Sequence, residues 1–204
     1  MTIPTNDTWS RDDLGGVPRE THLATLREHL VARGEAERLV DVTYRTVASP
    51  VGELLVAATP LGVVRVAFDV EGHERVLEDL ARRVGVRILA SPRRLDPVAR
   101  QLEEYFAHRR TTFDVPMDLR LSSGFRRRVL AHLSEIGYGA TESYAQVAVA
   151  AGSPRAVRAV GSACATNPLP VVVPCHRVLR SDGTLGGYVG GLDAKRALLA
   201  LEAA

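Results

Sequence analysis

From residue 41 onward, short apolar runs alternate with turn signals. Val42–Thr46, Glu53–Ala58 and Gly62–Phe68 are separated by Ser49-Pro50-Val51-Gly52 and Pro60-Leu61-Gly62, which predicts three strands joined by tight connections. Val76, Leu77, Leu80 and Val84 then recur at helical spacing. Val86–Leu89 predicts a further strand, and Asp96–His108 a helix that buries Val98, Leu102 and Phe106. This order is that of an α/β domain over residues 41–120. Residues 1–40 read as an N-terminal extension, in which a possible amphipathic helix from Pro18 to Ala36 sets Leu23, Leu26 and Leu30 on one side.

The pattern over 121–204 is helical. A helix from Ser123 to about Ile136 ends at Gly137-Tyr138-Gly139. Ser143 is a good N-cap for a short helix carrying Tyr144, Val147, Ala148 and Ala151. Gly152 makes a turn, and Ser153-Pro154 sets an N-cap and a first-turn proline before RAVRAVGSACA. Helix, glycine turn, helix is the helix-turn-helix arrangement, although two helices that merely pack together share it. In the second helix Ala156, Val160 and Cys164 form the stripe to be buried. Arg158, Ser162 and Ala165, with Gly161 alongside, form another face of one arginine among very small side chains. Such a face suits close approach to a duplex groove.

Charge sharpens this division. The net charge is only +2, but residues 1–120 hold 17 basic and 19 acidic side chains, whereas residues 121–204 hold 9 and 5. Lys195 is the one lysine; every other cation is arginine, whose planar fork suits phosphate. Two cysteines exclude a disulfide scaffold and a four-cysteine zinc site, and suit a reducing compartment. No apolar run has the length of a membrane span, and the first residues lack a signal-peptide pattern, so the expectation is a cytoplasmic chain without membrane contact.

The reactive candidates cluster near the C-terminus. Asn167-Pro168-Leu169-Pro170-Val171-Val172-Val173-Pro174 is a stiff apolar lead into Cys175-His176-Arg177-Val178. Cys164 on the apolar stripe reads as an inert core thiol. Cys175 has an imidazole directly after it and Arg177 and Arg180 nearby, surroundings that favour thiolate. Neighbouring residues share no face, so His176 is expected to reach the sulfur through water. Gly186-Gly187-Tyr188-Val189-Gly190-Gly191 is a loop in which backbone can lie close to a ligand. A last helix, Asp193–Leu201, buries Leu198 and Leu201 and ends at Glu202. There a carboxylate opposes the helix dipole, which calls for a cationic partner such as a protonated imidazole.

PCHRV at 174–178, TESYAQVAVAAGSPRAVRAVGSACATNP upstream and GGYVGGLDAKRALLALE downstream together resemble the O6-alkylguanine-DNA alkyltransferases. The likeness extends through PVARQLEEYFAHRRTTFDVPMDL and covers roughly residues 41–204. It implies a ribonuclease-H-like α/β domain followed by an all-α domain with a helix-turn-helix. It also implies minor-groove binding, flipping of the damaged guanine, and irreversible transfer of the alkyl group to cysteine without a cofactor or metal. On that resemblance Cys175 is the acceptor, His176 its water-mediated base, Glu202 the group that orients the imidazole, and Asn167 the support of the preceding segment. Tyr144 crowds the target phosphate and assists the leaving guanine, Arg158 fills the gap of the flipped base, and Gly161, Ser162 and Ala165 complete the DNA face. Tyr188, Val189, Pro170 and Val178 line the pocket. The implied partner is double-stranded DNA carrying O6-alkylguanine, met by a chain that is monomeric when free; O4-alkylthymine as a second substrate and clustering of copies on DNA stay open.

Departures from the resemblance are local. Many relatives have tryptophan where Leu130 stands, glutamine at Arg126 and proline at Gly137. Several have arginine at Ala165, which implies one fewer phosphate contact here, and some have serine at Val189. Two other readings remain at this point: a cysteine–histidine hydrolase, which needs an oxyanion hole and turnover, and a DNA-binding damage sensor without chemistry, against which Cys175 argues. Relatives that carry a zinc–cysteine domain are excluded by the cysteine count.

Overall fold

The computed structural model describes residues 39–91 and 93–203, with isolated positions upstream at 25, 26, 29, 33, 34 and 37. Of the expected 18–36 helix, Thr25, Leu26, His29, Arg33 and Gly34 are described and helical; the rest, with Leu23 and Leu30, lies outside the described residues.

The first half is a four-stranded sheet. Strands β1 (Val42–Val47), β2 (Leu54–Thr59) and β3 (Gly62–Phe68) form an antiparallel meander. After helix α1 (His73–Arg83), strand β4 (Ile88–Ala90) pairs parallel with β1, giving the order β3-β2-β1-β4. Helix α2 (Asp96–Phe106) closes the half. β2 is buried along its whole length because it is covered on both faces. Leu55 and Ala57 pack with Val76 and Leu80 of α1, while Leu54, Val56 and Ala58 face α2 and the second half. In α2 Val98, Ala99, Gln101, Leu102 and Tyr105 are buried; Phe106, expected inside, is only partly covered. The i, i+4, i+7 rhythm carries Tyr105 inward and turns Phe106 toward the edge.

The second half is helical. Helix α3 (Gly124–Leu133) precedes a short strand β5 (Glu142–Ser143), which leads into α4 (Tyr144–Ala150). Ser143 caps α4 reciprocally: the Gln146 backbone N–H donates to the Ser143 hydroxyl at 3.2 Å, and Gln146 Oε1 accepts from the Ser143 N–H at 2.7 Å. The second helix of the pair, α5, runs Val157–Ala165 and starts later than the Ser153-Pro154 signal suggests. The Ala156 N–H donates to the Ser153 carbonyl at 2.9 Å in a tight turn, and the helix begins after Ala156, which occupies the cap position with no side-chain cap bond. The buried stripe of α5 is therefore Val160, Ala163 and Cys164. Strand β6 (Val178–Leu179) pairs parallel with β5, and α6 (Gly191–Glu202) ends the chain's described fold.

One hydrophobic core runs through both halves: Phe68, Leu102 and Tyr105 belong to the same cluster as Val129, Leu133, Val160 and Leu198. Polar ties reinforce the junction. The Val66 N–H donates to the Pro168 carbonyl at 2.8 Å, and Arg65 Nη1 to the Asn167 carbonyl at 3.3 Å. The edge of β3 is thus in register with the segment that leads to Cys175.

Gly62, at φ 143°, opens β3 against the Pro116 carbonyl, where an added Cβ would overlap that carbonyl and approach the Met117 nitrogen to 2.9 Å. Gly62→Ala should lower stability by about 1–3 kcal/mol, measured as a fall in the urea midpoint at unchanged m-value.

Candidate active site

The segment from Asn167 to Val178 is buried throughout, and its backbone is held in a shape the sequence alone would not adopt. Val171, a β-branched residue, lies at φ 73°, a conformation that costs about 1–3 kcal/mol and must be imposed by its surroundings. Asn167 is one source of that constraint. Its Oδ1 accepts from the Leu169 N–H at 2.9 Å, and its amide nitrogen donates to the Val173 carbonyl at 2.8 Å and to Cys175 Sγ at 3.1 Å. One side chain thus shapes the loop and touches the sulfur.

Cys175, His176 and Arg177 form a single 3-10 turn after Pro174. Cys175 is 1% exposed. Burial pushes its thiol up to about 11; the Asn167 hydrogen bond and the Lys195 ammonium pull the other way without prevailing. Lys195 is itself buried and donates to the Val178 carbonyl at 2.6 Å. Cys164 has its thiol pushed up to about 12, chiefly by burial, in keeping with an inert core position.

Glu202 gathers the rest. Its Oε1 accepts from Tyr105 Oη at 2.6 Å, from His176 Nε2 at 2.8 Å and from Arg177 Nη2 at 2.8 Å. Its Oε2 accepts from Arg177 Nε at 2.8 Å and from the Gly139 N–H at 3.3 Å. Burial alone would raise this carboxyl, but the bonds from His176 and Arg177 overcome it and hold the group far below the ordinary carboxylate range. Burial lowers the His176 pKa, only partly offset by Glu202, so the imidazole is neutral at pH 7. With a carboxylate accepting from Nε2–H, the neutral ring leaves Nδ1 as an acceptor. Nδ1 is buried with no hydrogen-bond partner among the described residues.

Asn167 with Cys175 and His176 with Glu202 thus form two hydrogen-bonded pairs, joined through the chain at 175–176, and the tyrosines flank them. Tyr188 stands edge-on to His176 at 6.4 Å between ring centroids and to Phe68 at 5.5 Å, its hydroxyl buried and unpartnered among the described residues. Burial raises the Tyr144 phenol, and the two cysteines add to the effect. The ring of Tyr144 lies so close to Gly186 that any Cβ there would collide with its hydroxyl, which is why the loop carries glycine at that point. Pro170 and Val178 are buried beside the cluster, while Val189 lines a neighbouring cavity with Asn167 and Ala165. Arg158, Ser162 and Ala165 are exposed on α5, with Gly161 half-buried. Sequence reasoning missed Arg177 as the principal cation on Glu202, and it missed Tyr105 and Lys195. Among the described residues no cluster of His, Cys, Asp or Glu could hold a metal ion, and no helix is long and apolar enough to cross a membrane.

Comparison with known proteins gives this geometry its context. A family profile described as the 6-O-methylguanine DNA methyltransferase DNA-binding domain matches residues 124–204, and one described as the ribonuclease-like domain of the same proteins matches 42–119. The methylated-DNA–protein-cysteine methyltransferase of Mycolicibacterium paratuberculosis is 43% identical over 161 residues, 79% of this chain and 92% of its own length. The chain belongs to the 6-O-methylguanine DNA methyltransferase family. The methylated-DNA–protein-cysteine methyltransferase of Methanosarcina barkeri is 38% identical over 78% of this chain and 96% of its own. The crystal structure of Mycobacterium tuberculosis OGT in complex with DNA, 39% identical, superposes with a TM-score of 0.70 over 79% of this chain and 92% of that one.

Arg177→Met would leave the Glu202 carboxylate buried beside a neutral imidazole and should cost about 3–5 kcal/mol, read from urea unfolding at pH 7. Because the folded-state pKa of Glu202 is depressed, its stabilisation is fully present above the ordinary carboxylate pKa and is lost as pH falls toward the folded value. Glu202→Gln should therefore show a shallower loss of stability between pH 5 and pH 2, followed by circular dichroism.

Proposed function

We infer that the chain repairs O6-alkylguanine in DNA by moving the alkyl group, once and irreversibly, to Sγ of Cys175. The observation that carries this reading is the pairing of a buried, protonated thiol with an adjacent imidazole whose Nε2 is tied to Glu202 while Nδ1 is left unpartnered. A thiol of pKa about 11 is ionised only about once in 10⁴ at pH 7, so it needs a base at the moment of reaction. Nδ1 of His176 takes the proton through a water, and Glu202 and Arg177 keep the ring oriented. The sulfur displaces guanine at the alkyl carbon: the C–S bond forms, the C–O bond breaks, and the electron pair leaves on the guanine oxygen. Tyr144 donates toward that developing anion. The thioether product is a poor leaving group, so no second step restores the thiol.

The DNA roles follow from α5. Arg158 among Gly161, Ser162 and Ala165 offers a cation on a face small enough to enter the minor groove, where it fills the space of the flipped guanine. Tyr188, Pro170 and Val178 enclose the extruded base, with Val189 contributing its backbone N–H. We take residues 41–120 as the ribonuclease-like half and 121–204 as the DNA-binding and acceptor half, with 1–40 as an extension. A chain with two free thiols fits the reducing cytoplasm and, when acting, the nucleoid.

Incubation with a duplex containing O6-methylguanine should place one methyl per protein on the peptide bearing Cys175, seen by mass spectrometry; repaired DNA with unmodified Cys175 would sink this reading. Turnover beyond one equivalent would favour a hydrolase instead. His176→Ala should slow transfer by about 10²–10⁴ at pH 7. The deficit should shrink as pH approaches about 11, where hydroxide ionises the thiol unaided.

A further inference from the structure

Between α1 and the end of α5 lies a cavity of about 480 Å³ whose wall includes Asn167 and Val189 of the proposed site but whose charged lining that site does not use. Arg65, Arg75 and Arg83 approach it from the sheet half, Arg126 of α3 from the helical half, and Ala165 and Thr166 at the end of α5 form its rim. Two carboxylates also line it, and both are already engaged. Glu71 pairs with Arg65, whose other nitrogen donates to the Asn167 carbonyl at 3.3 Å. Asp79 receives Arg82 at 3.3 Å and Arg83 at 3.2 Å, and Arg83 also donates to the Leu121 carbonyl at 3.1 Å. Arg75 and Arg126 have neither a hydrogen bond nor an ion pair among the described residues.

A single exposed arginine in water would mean little. These two stand on different halves of the fold, share one concavity whose acids are neutralised, and adjoin the end of the helix that enters the groove. A strand leaving the groove past Ala165 would carry its backbone over this opening. We propose that a DNA backbone phosphate docks here between Arg75 and Arg126, so that the sheet half grips the duplex together with the helix-turn-helix. The proposal rests on the DNA-repair reading above. Guanidinium forks match phosphate oxygens, and because both side chains are exposed they bind it at small desolvation cost.

The test is a set of fluorescence-anisotropy titrations with an O6-methylguanine duplex over a range of salt, using wild type, Arg75→Gln, Arg126→Gln and the double variant. Arg109→Gln, exposed after the end of α2 and outside the cavity lining, serves as the control and should keep the wild-type slope. Loss of one phosphate contact should reduce the slope of log K against log salt by about 0.9 in the double variant, with weaker binding. A duplex scanned with neutral methylphosphonates should show one position that weakens wild type and leaves the double variant indifferent. A double variant with wild-type slope and affinity would overturn the proposal. So would equal losses of rate on duplex and on free O6-benzylguanine, which would place the defect in the reactive cluster. Failure of the wild type itself to bind or repair the duplex would instead overturn the function from which the proposal starts.

Discussion

A buried carboxylate that accepts five hydrogen bonds holds this molecule together. Glu202 is the last residue of the last helix, yet its partners come from α2, from the turn after α3 and from the two residues that follow Cys175. Separating charge from water in this way is costly, and only a full set of donors makes it tolerable. The second half therefore converges on one point, where the end of α6 is bonded to both His176 and Arg177 of the turn. Tyr105 brings the sheet half into the same contact.

The Cys175 sulfur is held in its neutral form by its surroundings. Burial favours the neutral thiol, which protects it from stray electrophiles and oxidants. Asn167 and Lys195 supply countervailing stabilisation that becomes useful once the proton is leaving. Under the single-use transfer proposed above, such restraint is an advantage, because any off-target encounter would remove the molecule from service. Asn167 also links this chemistry to the first half, since its carbonyl is held by Arg65 and the next carbonyl by the backbone of β3.

Much of this was legible in the sequence where the determinants are local. The Ser143 cap is written within four residues, the meander strands are marked by their turns, and Cys175-His176 are neighbours. The misreadings share a different cause. Arg177 reads as a cation that favours the Cys175 thiolate, because the carboxylate it holds is 25 residues away. Tyr105 lost to Phe106 in a helix where two aromatic rings are adjacent and only the packing of the second half decides which turns inward. Ser153 has every attribute of an N-cap, but a tight turn separates it from the helix, which begins only at Val157.

The burial of Lys195 has a practical side. With arginine at every other cationic position, the folded chain presents no lysine amine to solvent, so acylating reagents and lysine-modifying enzymes find no side-chain target on its surface. The slow acylation of Lys195 would then act as a clock. It would time how often the first half of α6, where Lys195 lies, lifts from the core.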